Sequence, residues 1–329
     1  MRVIQYLDTA GEKAVGIVEG AVVAKVATYR STYDAALAAI AKGVTLSALL
    51  DADRAGTTED YDAIIAEKRI RLPIDHPEPA RCLLTGTGLT HIGSADARDS
   101  MHVAMAADEH KLSDSMKMFR WGIEGGRPPA GQMGIQPEWF YKGDSSWLVA
   151  PEGDLRNPAF ALGGGEEPEL TGIYVISPDG VPFRVGFVLA NEFSDHILEQ
   201  KNYLWLAHSK LRVSSFGPEL LLDKPAGTVN GRTRVLRGNE VVWEKEFVTG
   251  EDVMSHTIEN LELHHFKYEQ FRRPGDIHVH FLGAALLSFS SGFQAQPGDV
   301  FELSAEGFGR PLRNRLVVAP ETPVVIRSL

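Results

Sequence analysis

The 329-residue sequence contains a single cysteine, Cys82. One thiol excludes an internal disulfide and a zinc cluster built on several thiolates. Basic residues are also scarce: 33 Lys and Arg stand against 44 Asp and Glu, a formal net charge of −11. A surface of that sign repels phosphate backbones and anionic headgroups, which argues against nucleic acid or membrane as the main partner. No apolar run approaches the ~18 residues of a transmembrane helix. Asp8 and Glu12 interrupt the stretch where a signal peptide needs continuous apolar residues. The expectation is a soluble, cytoplasmic protein. Common catalytic signatures are missing too. Gly163–Gly165 lacks the Gly-Lys-Ser/Thr of a P-loop, and Gly86-x-Gly88 lacks the third glycine of a dinucleotide loop. There is no G-x-S-x-G elbow, and His264, His265 and Glu269 do not form H-E-x-x-H.

What is present is an ordinary globular mix, 43% hydrophobic and 23% charged, long enough for one large domain or two smaller ones. Residues 2–26 read as a three-stranded meander, with alternation at Val3, Gln5 and Leu7 and two further short runs. Spacing near 3.6 then predicts short helices over 32–43, 45–56 and 59–70. Three prolines within 73–79 break the pattern, so the chain divides into a small N-terminal α/β domain (1–78) and a larger domain (79–329). Beyond residue 80, short apolar runs separated by Gly, Pro and Asp predict strands at 82–86, 169–177, 183–191, 276–284, 299–305 and 315–319. A hairpin is expected around Gly238–Asn239, and longer helices over 194–210 and 251–271. Strands dominate with few βαβ alternations, which favours an α+β, β-rich rolled or sandwiched sheet over a doubly wound one.

Three segments carry candidate chemistry. In an extended chain, Glu167 and Glu169 project from the same face. Two adjacent carboxylates repel unless a hard divalent cation lies between them, although a solvated acidic turn accounts for the pattern more readily. The apolar run ending in Asn191–Glu192 passes into a helix, so Glu192 either completes a three-carboxylate site or lies exposed beside an N-cap at Ser194 or Asp195. His278 and His280 share a strand face, as in zinc or iron sites, but no matching carboxylate follows; buried, hydrogen-bonded histidines account for them better. Residues 92–136 form a long connection containing Met101, Met105, Met116, Met118 and Met133, suited to a lid or a dimer contact.

Taken in order, GTGLTH (86–91), PEWFYKG (137–143), EEPEL (166–170), LANEFSDH (189–196), HSKLRVSSFGPEL (208–220) and QPGDVFELSAEGFGRPLRN (296–314) resemble the fumarylacetoacetate hydrolase superfamily. The likeness runs from about residue 80 to the C-terminus. It is strongest to bacterial enzymes acting on 2-keto-3-deoxy sugar acids in pentose oxidation. The resemblance implies a mixed β-sandwich roll and Mg²⁺ (in some members Mn²⁺ or Ca²⁺) held by residues matching Glu167, Glu169 and Glu192. It also implies a homodimer and a small 2-keto acid substrate. The motif N-D-x-S-x-R reads Asn191-Glu192-Phe193-Ser194-Asp195-His196, with Glu for Asp and His for Arg. Lys210 matches a substrate-facing lysine, expected to move a proton with a lowered pKa, and Lys142 and Ser194 match positions near substrate. His91 matches a histidine that, in the hydrolases, activates water with a glutamate three residues on; Ser94 stands there, with Asp96 and Asp99 nearby. A substrate-touching Gly-Thr reads Gly283–Ala284. The implied activity is Mg²⁺-dependent dehydration of a 2-keto-3-deoxy pentonate. The alternatives are C–C hydrolysis of a 2,4-diketo acid through His91, and a catalytically silent sugar-acid binding protein.

Overall fold

A computed structural model describes residues 1–92 and 112–329. Its strands, in chain order, are β1 (Arg2–Leu7), β2 (Lys13–Glu19), β3 (Val22–Val26), β4 (Arg54–Asp60), β5 (Cys82–Gly86), β6 (Phe140–Asp144), β7 (Leu148–Val149), β8 (Asp154–Asn157), β9 (Pro168–Ile176), β10 (Pro182–Asn191), β11 (Ser214–Phe216), β12 (Leu220–Leu221), β13 (Val229–Arg237), β14 (Glu240–Thr249), β15 (Ile277–Ala284), β16 (Val300–Ala305) and β17 (Leu312–Val318). The larger sheet runs β4-β3-β2-β1-β12-β10-β9-β15-β5-β6, with β11 beside β10 and β7 beside β11. The smaller runs β14-β13-β16-β17-β8. Most pairs are antiparallel; β5–β15, β7–β11 and β8–β17 are parallel.

Alternation along the central strands explains the layering. On β9, Ile173 and Val175 join Val188, Ala190, Val279 and Phe281 in a core covered by the helices Thr32–Lys42 and Leu46–Ala52. The opposite face presents Leu170, Phe187 and Leu189 to Val229, Phe247, Leu303 and Leu312 of the second sheet. This is a mixed sandwiched roll, as the sequence predicts. The N-terminal meander forms as expected and joins the large sheet directly: Val3 of β1 pairs with Leu220 of β12. Val3, Val15 and Leu50 share one core with Ile173 and Phe281, so residues on both sides of position 78 pack together.

Three local expectations change. Residues 54–60, assigned to two helices, form β4 against β3. Gly56 adopts a left-handed φ of 75° that a helix excludes, and the adjacent β-branched Thr57 and Thr58 favour extended backbone. The helix over 194–210 is broken into His196–Lys201, a 3-10 turn Tyr203–Trp205 and Leu206–Lys210, because extended Asn202 caps the turn by accepting from Leu204 N. The helix over 251–271 shortens to Ile258–Phe266, starting at the Thr257 N-cap. No single described helix is long and apolar enough to cross a membrane.

Candidate active site

The site begins with the register between β9 and β10. Ala190 pairs with Glu169 and Asn191 with Pro168, so the next pair along the ladder is Glu192 opposite Glu167. Glu192 N donates to Glu167 O (3.0 Å), continuing the ladder just past the strand ends. Directly opposed residues share a face, and so do residues two apart on one strand. Glu167, Glu169 and Glu192 therefore converge. Each places a carboxylate oxygen within 4.8 Å of the others, and all three are buried. The exposed-cap reading of Glu192 gives way: Asp195 is the N-cap, accepting from Leu198 N, while Glu192 is only 1% exposed.

Lys210, last residue of the helix Leu206–Lys210, reaches Glu167 Oε1 at 2.6 Å and Glu192 Oε2 at 3.2 Å, with its ammonium 5.0 Å from the Phe140 ring centroid. His196 Nε2–H donates to the same Glu167 oxygen at 3.0 Å. Glu169 differs. It accepts one hydrogen bond, from Gly283 N at 2.8 Å, and among the described residues no cationic side chain pairs with it. That contact needs the irregularity in β15 between Phe281 and Ala284. There Gly283 takes a φ of 103°, and a Cβ would lie 2.0 Å from Thr90 Oγ1.

Burial and the neighbouring Glu192 and Glu167 charges push Glu169 well above the usual carboxylate range. Burial also raises Glu192, against the pull of Lys142 and Lys210. For Glu167, burial is outweighed by Lys210 and His196, and the carboxyl is held below its usual value. Three oxygen donors packed this closely, one without a counter-cation, suit a hard divalent ion such as Mg²⁺.

The carboxylates line a cavity of about 320 Å³ together with Lys210, Glu138, His91 and Ala284. Ser115, Met116 and Phe119 of the helix Asp114–Gly125 form another part of its wall. Met101, Met105, Ser94, Asp96 and Asp99 lie outside the described residues. Glu138 had no signal of its own in the sequence. Its carboxylate rests against Gly88, where a Cβ would come within 1.8 Å, and accepts from the Tyr203 hydroxyl. Burial, opposed by Lys210 and reinforced by Glu199, Glu167 and Glu192, raises it to about 7.

Other expected residues are placed differently. Burial would lower Lys210, but Glu167 and Glu192 hold it well above its ordinary value, so it is a cation rather than a neutral base. Lys142 is fully buried behind Glu192 (Nζ to Oε1, 3.0 Å) and donates to the carbonyls of Phe193 and Lys210, both at 2.8 Å. It does not line the cavity, and neither does Ser194, which donates to Glu192 O at 2.9 Å. Lys142 meets the Glu192 carboxylate and two backbone carbonyls, and Ser194 meets the Glu192 backbone, rather than the cavity. Lys142→Met is expected to cost about 3–5 kcal/mol in urea denaturation, because Glu192 loses a buried counter-charge.

His91 lines the cavity but has both ring nitrogens engaged. Thr90 Oγ1 gives its one proton to Leu282 O (2.6 Å), so His91 Nδ1–H donates to that hydroxyl (3.1 Å). Nε2 then accepts from Thr249 Oγ1 at 2.8 Å. Burial lowers the ring to about 4, keeping it neutral. His278 and His280 belong to a separate buried group, in which His265 Nε2 bonds His278 Nδ1 at 2.9 Å and Thr85 Oγ1 bonds His280 Nδ1 at 2.8 Å.

No family model matches the chain, and no curated protein matches it in sequence. Solved structures do. The apo form of a 2-keto-3-deoxy-D-arabinonate dehydratase superposes with a TM-score of 0.70 at 16% identity, covering 98% of this chain and 100% of that one. The same kind of dehydratase complexed with magnesium and 2,5-dioxopentanoate gives a TM-score of 0.70 at 17% identity, with the same coverage. A 5-carboxymethyl-2-hydroxymuconate delta-isomerase from Mycobacterium smegmatis matches at 0.57 and 17% identity, covering 97% and 100%. The chain has the fold of these proteins.

Proposed function

We propose that the chain is an enzyme of the fumarylacetoacetate hydrolase superfamily that dehydrates a 2-keto-3-deoxy pentonate to 2,5-dioxopentanoate with Mg²⁺. The observation that carries this reading is one cavity holding three buried carboxylates, a charged lysine and a carboxyl poised near neutrality. Likeness of fold to a magnesium- and 2,5-dioxopentanoate-bound dehydratase supports the substrate class. The same reading places the enzyme in the cytoplasm, in pentose oxidation, as a homodimer.

Glu167, Glu169 and Glu192 would hold the ion, which supplies Lewis-acid polarisation of a 2-oxo acid. Lys210, held cationic, lies where it offsets negative charge developing on the substrate as the C3 proton leaves. Glu138, ionised in part at neutral pH, takes that proton. Loss of the 4-hydroxyl as water leaves an enone that tautomerises, so that C5 becomes the aldehyde and only water is released. Incubating the purified protein with 2-keto-3-deoxy pentonates and Mg²⁺ should yield 2,5-dioxopentanoate. Absence of that product, or turnover unaffected by chelator, overturns the assignment.

Hydrolysis of a 2,4-diketo acid would need an activated water, and His91 has no free nitrogen to activate one. His91→Ala is therefore expected to change turnover by less than about tenfold, against the 10²–10⁴ typical of a lost base. Its main effect should be on stability, roughly 2–4 kcal/mol from the cavity and the severed threonine contacts. Saturable keto-acid binding with no product would instead favour a catalytically silent binding protein.

A further inference from the structure

We propose that Tyr203 is the acid of this reaction, giving the departing 4-hydroxyl a proton as Glu138 takes one from C3. The inference rests on the dehydration reading above and adds to it the group that lets the hydroxyl leave. Tyr203 opens the 3-10 turn Tyr203–Trp205, where Asn202 Oδ1 accepts from Leu204 N at 3.0 Å. That turn breaks the segment 196–210 into two short helices, and Tyr203, Leu206 and Lys210 all reach the cavity from it. The Tyr203 hydroxyl donates to Glu138 Oε1. The second oxygen, Oε2, lies against Gly88, which lines the same cavity and has no side chain to cover it. One oxygen of Glu138 therefore holds the phenol while the other faces a residue that leaves room for substrate.

Elimination of water calls for such a pair. Hydroxide is a poor leaving group, so cleavage of the C4–O bond needs a proton donor as well as a base at C3. C3 and C4 are bonded to each other, so donor and base must be neighbours, as a hydrogen-bonded Tyr and Glu are. A phenol carries its proton at neutral pH. Lys210 is less suited, because its ammonium already serves Glu167 and Glu192 and its loss of a proton would strip both of a counter-charge. His91 gives its one proton to Thr90 Oγ1, and Thr87 gives its own to Phe281 O at 3.3 Å. The proposed step balances. Glu138 takes the C3 proton, and the electron pair left behind forms the C3–C4 double bond as the C4–O bond breaks. The departing oxygen takes the Tyr203 proton and leaves as water. Glu138 then returns its proton to the phenolate, which restores both groups.

Tyr203→Phe in the full chain tests this, with 2-keto-3-deoxy pentonate and Mg²⁺ in D₂O. The ring and the turn are kept, so the circular dichroism spectrum should match wild type. The variant should form 2,5-dioxopentanoate about 10²–10⁴ times more slowly than wild type. It should nevertheless exchange C3 hydrogen for deuterium roughly tenfold or more faster than it dehydrates, because Glu138 still acts as base. Proton NMR of the remaining substrate reads that exchange, and Glu138→Gln should lose both activities. An analogue with fluorine in place of the 4-hydroxyl gives a second measurement, since fluoride departs without a proton. The variant should release fluoride at nearly the wild-type rate. Exchange and dehydration falling together would reduce Tyr203 to holding Glu138 in place, and an unimpaired variant would remove it from the reaction. Either result overturns the inference and leaves the dehydratase standing. A wild type that makes no 2,5-dioxopentanoate overturns the reading beneath it.

Discussion

Glu169→Gln is expected to reduce turnover by roughly a thousand-fold or more, about 4 kcal/mol of barrier, and to erase any rise in melting temperature on adding Mg²⁺. The substitution keeps the volume, and the glutamine oxygen can still accept from Gly283 N, so the fold should persist. With chelator present the variant should melt no lower than wild type, because burial and two like charges push Glu169 well above its usual value, outweighing the pull of Lys210, which makes no ion pair with it. The combination is diagnostic: a harmful change for the loaded enzyme that is neutral or favourable without metal. Thermal melts of both proteins with EDTA and with Mg²⁺ measure it. A raised carboxyl pKa also fixes the pH sign, since protons compete for the same oxygens and Mg²⁺ affinity should fall as pH drops. A variant that retains the wild-type Mg²⁺ shift would remove Glu169 from the ligand set.

The second large effect belongs to Glu138. Glu138→Gln should lower turnover by about 10²–10⁴ while leaving the Mg²⁺-induced stabilisation intact, since the residue lines the same cavity but is not one of the three converging carboxylates. The pH dependence tests the direction of proton transfer. A base must be ionised, and burial raises this carboxyl to about 7. Activity should therefore climb through that pH in wild type rather than decline through it. The residual activity of the glutamine variant should lack that limb. A wild-type profile that falls as pH rises through 7 would make Glu138 an acid instead and assign proton removal elsewhere.

Much of this was legible in the chain, for identifiable reasons. Period-two alternation located β9, β10 and β15, and it placed Glu167 and Glu169 on one face, because Glu167 directly precedes the strand that contains Glu169. Glu192 was harder: its face depends on the pairing of Ala190 with Glu169, a relation between two strands that neither reveals alone. Lys210 is carried by an irregular connection and drew notice only through family resemblance. Its charge state follows from contacts with Glu167 and Glu192, which proximity to a metal site does not foretell. Glu138 was missed altogether, a lone carboxylate beside Trp139 and Phe140 whose meaning comes from Gly88 and Tyr203, distant in sequence. The helical reading of 54–60 failed because the open edge of β3 recruited a polar segment whose glycine and threonines already disfavoured a helix.

The pairing of β9 with β10 has an evolutionary consequence. Because three carboxylates depend on one ladder, their convergence should tolerate exchanges of side-chain length far better than changes in residue count. Glu192 stands where the resembling motif has Asp, a one-methylene difference that changes the reach of the side chain but not the face it occupies. A single-residue insertion or deletion within 186–191 would rotate Glu192 to the opposite face, toward Leu170 and Leu303, and dismantle the triangle in one step. Lineages carrying this centre should therefore diversify freely in the loops that flank the two strands while conserving the number of residues between Gly186 and Glu192.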